Sequence, residues 1–267
     1  MLKSFMILLG IVTEPNSVEP EPLAHPVGAW PPDSRTRKIH ALVEVASCSG
    51  IPTQIVVALV LGAIGVSAIN DSGGLSFVYI FALSLIDTVL VVGLISFFLY
   101  SRRESITNLI FGNRSPNQEA LFGMKLIPVI LVSVITGAAI ISWLAPSLRN
   151  VPDNPLESLL DTPIHVALFL VVVIVAGGFR EELQRAFVLK RFDQHLGGGW
   201  LGLVIFSIAF GLGHQIQGWD AAILTGALGA FWGSIYLIRR SAIAPIVSHS
   251  GFNAAQILLA LLATNNP

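Results

Sequence analysis

The run HVALFLVVVIVA (165–176) passes without a helix breaker into GGFREELQRAFVLKRF (177–192). The first stretch is apolar enough for the middle of a lipid bilayer. The second attaches Arg180, Glu181, Glu182 and Arg185 to its end. Either these glutamates lie outside the membrane and are solvated, or they lie inside it, where an ionisable side chain is costly and marks a function. Composition supports the membrane setting. The chain is 54% hydrophobic and 12% charged, against about 25% charged residues in a soluble domain. The fold class this predicts is all-α, a polytopic transmembrane helical bundle.

Runs long enough to span, roughly 20 apolar residues each, fall at 51–69, 75–100, 122–145, 163–190, 200–216, 219–238 and 242–264. That makes about seven spans. With the N-terminus placed in the cytoplasm, all of the 15 basic residues except Arg149 fall on cytoplasmic segments, as the positive-inside rule requires. The predicted topology is N-terminus in and C-terminus out, in the cell membrane. Residues 1–13 (MLKSFMILLGIVT) lack the small-residue cleavage site of an export signal. Residues 14–36 are too rich in proline and polar residues to fold alone. The expected division is a tail with a basic cytoplasmic segment over 1–50 and a membrane domain over 51–267. A net charge of −1 points away from a nucleic-acid partner, and Cys48, the single cysteine, allows no intramolecular disulfide.

Polar residues inside the spans concentrate in a few places. Glu181, Glu182 and Arg185 form one cluster, Phe210 and His214 a second, His249 and Asn253 a third, and Asp87 stands alone in the second span. Phe210 with His214, His249 with Asn253, and Glu181 with Arg185 are i,i+4 pairs that share a helix face. Counted from the turn at Gly197–Gly198, Glu181 and His214 lie at matching distances on antiparallel helices. If the helix from 163 continues to about 194, with Lys190 and Arg191 snorkelling to the interface, Glu181 sits about 14 Å inside the membrane at 1.5 Å per residue. His249, nine residues beyond Arg240, reaches about the same depth by the same rise. The prediction is that the three clusters meet in one intramembrane site. Asp87 is read as a hydrogen-bonder in support, His195 and Glu104 as interface residues, and His165 as too far away in depth to join. At about 100° per residue Glu182 points away from the Glu181 face, so its loss is expected to matter less.

A carboxylate beside a histidine can take a proton from water and direct the hydroxide at a carbonyl. A second histidine and an asparagine can donate to the oxyanion that forms. That set hydrolyses an amide without a serine or cysteine nucleophile and requires no cofactor. The absence of HExxH excludes a zincin. Glu181, His214 and His249 also suit a single divalent metal such as zinc in a His₂Glu site, and the sequence leaves metal-bound and metal-free water both open. A proton-relaying transporter should show paired halves or broken helices, and neither is visible.

These motifs resemble the CAAX-processing and bacteriocin-processing membrane endopeptidases, the CPBP or Abi family. The resemblance runs over about residues 125–264. It rests on Glu181–Glu182 with Arg185–Ala186–Phe187–Val188–Leu189, on Phe210 to His214, and on His249 to Asn253, in that order. It implies a glutamate-dependent or metal-dependent protease in which Glu181 and His214 activate water and His249 and Asn253 hold the oxyanion. Arg185 and Glu182 would orient them, and the substrate would be a peptide with an apolar or lipidated segment. The second reading is a non-catalytic membrane scaffold or bacteriocin-immunity-type protein that keeps the same residues. The family usually has three residues between the glutamate pair and the arginine, whereas this chain has two, Leu183 and Gln184. Aligned on the glutamates, Glu181 is the water-activating residue. Aligned on Arg185, Arg180 takes that place.

Overall fold

In the computed structural model, which describes residues 34–152 and 154–264, the chain forms a helical bundle. Its helices are α1 (Ser34–Ser47), α2 (Ile51–Ala63), α3 (Phe77–Ser101), α4 (Ile106–Phe111), α5 (Pro116–Leu144), α6 (Pro163–Val172), α7 (Glu181–His195), α8 (Gly199–Leu212), α9 (Trp219–Arg239) and α10 (Ile243–Thr264). A π-helical segment, Val173–Arg180, joins α6 to α7. Among the described residues the one β feature is an isolated bridge between Ile69 and Leu75. The all-α membrane architecture read from the sequence is borne out. The readings of residues 1–13 and of the proline-rich stretch up to residue 33 lie outside the described residues.

Among the described residues six helical stretches are long and apolar enough to cross a membrane: 35–63, 77–101, 116–144, 163–195, 219–239 and 243–262. The fifth expected span, 200–216, is instead the shorter α8. Its 14 residues reach about 21 Å at 1.5 Å per residue, short of the roughly 30 Å hydrocarbon core. The first expected span also differs, because α2 is preceded by α1, which the sequence assigned to a tail. Gly50, at φ 82°, separates the two. Ala41 and Glu44 of α1 are buried, so residues 34–50 belong to the packed structure.

Caps and glycines set the helix ends. Ser76 accepts from the Tyr79 amide and Thr162 from the His165 amide, satisfying N–H groups that the first turn leaves unpaired. Gly197 and Gly198, both with positive φ, turn α7 back into α8. The α8–α9 pair is close. A Cβ on Gly211 would lie 3.0 Å from the Gly226 Cα, and one on Gly229 would meet the Phe210 ring at 2.9 Å. Small residues allow this approach between membrane helices. The outer surface is apolar, with Val89, Leu59 and Trp143 largely exposed, as a lipid-facing surface should be.

Lys190 and Arg191 do not both extend to an interface as expected. Arg191 is fully buried, pairing with Glu44 and with Glu104 at 2.7 Å, and Lys190 pairs with Glu104 at 2.5 Å. Arg102 joins Glu44 at 2.5 Å and lies 3.2 Å from His195. Arg191 and Glu44 are buried, so they must pair or impose the desolvation cost of lone buried ions. Together these charges tie α1, α3 and α7 at one end of the bundle.

Candidate active site

The expected continuity of the helix over 163–194 holds, with one addition. The turn just before the glutamates is wide, the i→i+5 form that recurs at functional sites. Here it presses against α10. A Cβ on Gly177 would stand 2.8 Å from Asn253 Nδ2, and one on Gly178 would overlap Ser250 Oγ. Ser250 Oγ donates to the Ile174 carbonyl at 3.4 Å, and Asn253 Nδ2 reaches the Val173 carbonyl at 3.5 Å. The two glycines therefore let α10 lie against the segment that delivers the glutamates.

The two glutamates go different ways. Glu181 lines a cavity of about 670 Å³ together with His214, His249, Asn253, Phe210 and Trp232. Its side chain is 20% exposed, and its Oε2 lies 3.9 Å from His249 Nε2. Glu182 is 1% exposed. Its Oε1 accepts from His249 Nδ1 at 2.7 Å and also pairs with the wholly buried Arg185. Arg185 thus holds Glu182, at i,i+3, rather than Glu181. Its guanidinium carbon lies 4.6 Å from the Phe210 ring centre and 5.6 Å from that of Phe206. Those ring faces receive the part of the cation that Glu182 does not.

His214 lies just past the end of α8, at the start of a 3₁₀ turn over Gln215–Gln217. It is not on the helix face the i,i+4 count implied. The pairing with Phe210 survives nonetheless. The rings meet edge-on at 4.8 Å, and His214 Nδ1 donates to the Phe210 carbonyl at 2.9 Å. Because a carbonyl only accepts, the neutral ring carries its proton on Nδ1 and leaves Nε2 as an acceptor. Glu181 and His214 share the cavity wall but form no hydrogen bond with each other.

His249 is buried as well. Trp232 stacks on its ring at 3.8 Å between centroids and 15° between planes, and Trp232 Nε1 donates to Ser248 Oγ at 3.1 Å. No spacing in the sequence marks Trp232, because it comes from α9 with no polar neighbour to draw notice. Asp87 is the supporting group expected of it. Buried on α3, it pairs with Arg180, accepts from Thr53 Oγ1, and lies 3.4 Å from Gln54 Nε2. Arg180 is therefore directed away from the cavity. His165 stacks on Phe77 at 3.9 Å and pairs with Asp161, apart from the site as anticipated. Among the described residues no three His, Cys, Asp or Glu side chains are grouped so as to hold a metal ion.

Fold and site together define a multi-pass helical membrane protein with a carboxylate–histidine cavity inside the bundle. Within that core, residues 163–255 match the family model described as type II CAAX prenyl endopeptidase Rce1-like. The match takes in both glutamates, His214, His249 and Asn253, and it bears out the resemblance read from the motifs. Neither a search of curated proteins nor one of solved structures finds a match to the chain.

Proposed function

We propose that this chain is an intramembrane endopeptidase that hydrolyses a peptide bond at the Glu181–His214–His249–Asn253 cavity. The observation that carries the reading is the convergence of these four side chains, from three separate stretches of chain, on one cavity wall. A water held between Glu181 and His214 loses a proton to them as its oxygen bonds to the substrate carbonyl carbon. Asn253 and His249 donate to the oxyanion. When the tetrahedral species collapses, the C–N bond breaks and the same proton goes to the leaving amine. With Nδ1–H engaged by Glu182, His249 Nε2 donates to the oxyanion only in the doubly protonated ring. Glu182 and Arg185 are positioning residues in this scheme, and every step is available to the chain's own side chains.

The cavity is largely apolar, with Leu131, Val134, Phe169, Val172 and Leu228 among its walls. That supports a peptide substrate with an apolar or lipidated segment, reached from the bilayer. The split of basic residues supports a cytoplasmic N-terminus and a location in the cell membrane; reporter fusions at Arg114 and His195 should read cytoplasmic. The shortened spacing between the glutamate pair and Arg185 raises the other reading, a scaffold or immunity factor that keeps the residues without the chemistry. Purified protein and a Glu181→Gln variant, given a peptide with a lipidated end in liposomes, separate the two. The protease reading expects cleavage by the native chain and a steep loss in the variant at unchanged thermal stability. Equal cleavage by both would move the base elsewhere.

A further inference from the structure

A second cavity, of about 660 Å³, shares no wall residue with the first. It lies where α7 and α9 end and just before α5 begins, at the level where membrane helices meet headgroups. Its charged walls are Arg114, Lys190, Arg239 and Arg240 against the single acid Asp193. Lys190 and Arg239 are engaged: Arg239 holds Glu119 through two nitrogens at 2.6 and 2.8 Å, and Lys190 holds Glu104. Arg114 and Arg240 are less so. Arg114 donates through Nε to the Arg239 carbonyl at 2.8 Å, with Glu119 no nearer than 3.8 Å. Arg240 donates through NH1 to Asp193 at 2.8 Å, and its side chain is 56% exposed. Both guanidinium groups keep nitrogens for a further acceptor, and the cavity between them has room for one. Burial, and after it the adjacent Arg239 charge, hold the Arg114 guanidinium below its ordinary value.

We propose that this cavity binds a phosphate-bearing anion, presented by a lipid headgroup at the membrane interface and held by Arg114 and Arg240 with Lys190 beside them. Guanidinium forks match phosphate oxygens in number and geometry. Basic pockets between membrane helices are the places that take anionic headgroups. The site is independent of the protease chemistry.

The test uses the full chain in zwitterionic nanodiscs, with the thermal midpoint followed as dioctanoyl phosphatidic acid or inorganic phosphate is titrated in. The expected result is a saturable rise with the lipid, roughly 5 °C at 100-fold excess over Kd. In Arg114→Gln/Arg240→Asn the apparent affinity should fall about 30-fold, from two interactions of the size juxtamembrane basic residues show. Lysine at both positions should restore much of it. Lys125→Gln, an exposed change on α5 outside the cavity, should respond like the native chain. Arg240 has φ 55°, a conformation asparagine tolerates, so the single Arg240→Asn variant carries the test if the double variant does not fold. Saturation by phosphate with none by the lipid would overturn the headgroup assignment. No saturable rise with either, or an equal rise in the double variant, would overturn the site.

Discussion

Glu182→Gln provides the sharpest test of how the site is built, because helical phase alone predicts a mild effect and the structure predicts a severe one. The phase count places Glu182 away from Glu181, and it does point away. What it points into is the protein interior. Its carboxylate balances Arg185, which is wholly buried, and holds His249 Nδ1 at 2.7 Å. Removing one partner of a buried ion pair costs about 3–5 kcal/mol, because the other charge is left uncompensated. The ring faces of Phe210 and Phe206 offset a part of this, on the order of 1 kcal/mol per contact. They already do so in the native chain, however, so they do not grow when Glu182 is lost. For a chain of this size about 3–5 kcal/mol converts to a fall of roughly 10 °C in the thermal midpoint. Thermal unfolding in detergent, read by intrinsic fluorescence, measures it. Glu181→Gln is the internal comparison. Glu181 is part-exposed to the cavity, so that variant should unfold within about 2 °C of the native chain, a surface-sized effect. Arg185→Met on the Glu182→Gln background should recover part of the loss, since it removes the stranded cation. If Glu182→Gln unfolds with the native chain, Arg185 is compensated by something other than Glu182, and the account of why the motif carries two glutamates fails.

Three further outcomes follow from the same geometry. Asn253→Ala removes one of the two proposed oxyanion donors and should lower cleavage by about 10²–10³, less than His214→Ala, in a single-turnover assay. Gly178→Ala places a Cβ against Ser250 Oγ and about 3.0 Å from the Ser250 Cα, so it should lower the thermal midpoint by an overpacking cost of about 1–3 kcal/mol, with partial recovery in Gly178→Ala/Ser250→Ala. Burial alone would raise the Glu104 carboxyl, but the hydrogen bond from Lys190 and the charges of Arg191 and Lys190 outweigh it and hold it below its ordinary value. Its contribution to stability is therefore complete above the ordinary carboxylate range and lost as pH falls through the lowered value, so the midpoint difference between the native chain and Glu104→Gln should be present at pH 7 and vanish in strong acid.

What could be read in advance was whatever depends on a repeating pattern. Apolar run length gave the bundle, because a bilayer demands helices of a minimum length with few charges. Two of the three i,i+4 spacings, Phe210 with His214 and His249 with Asn253, gave four of the cavity residues, and His214 still meets Phe210 beyond the end of α8. Contacts set by packing between distant stretches were not legible. Trp232 stacks on His249 because α9 and α10 are adjacent, and neither residue carries a mark of the other. Glu44 pairs with Arg191 across 147 positions, so a segment that looked like a soluble tail turned out to be the counter-charge for a buried arginine. Composition classed that segment correctly as polar but could not say that its polar groups face inward.

The missing residue between the glutamate pair and Arg185 has its explanation in the wide turn that precedes it. Val173 lines the cavity. Counted from Val173 at about 100° per residue, Arg180 lies within about 20° of the same direction and Glu181 about 80° away. An unbroken α-helix would therefore aim the arginine at the cavity and leave both glutamates off it, which is the arrangement an alignment on Arg185 implies. A π turn takes up one residue more than an α turn, turning everything beyond it back by about 100°. Glu181 then falls within about 20° of Val173, and Arg180 moves off toward Asp87, the partner it has in the structure. The residue missing after the glutamates is thus offset, for the cavity, by the residue absorbed before them. Arg185 tolerates the change because i,i+3 and i,i+4 positions are both within reach on a helix, so Glu182 still holds it. The shortened motif keeps its carboxylate in the cavity, and the sequence that permits this is Gly177–Gly178, where the absence of side chains lets the widened turn lie directly against α10.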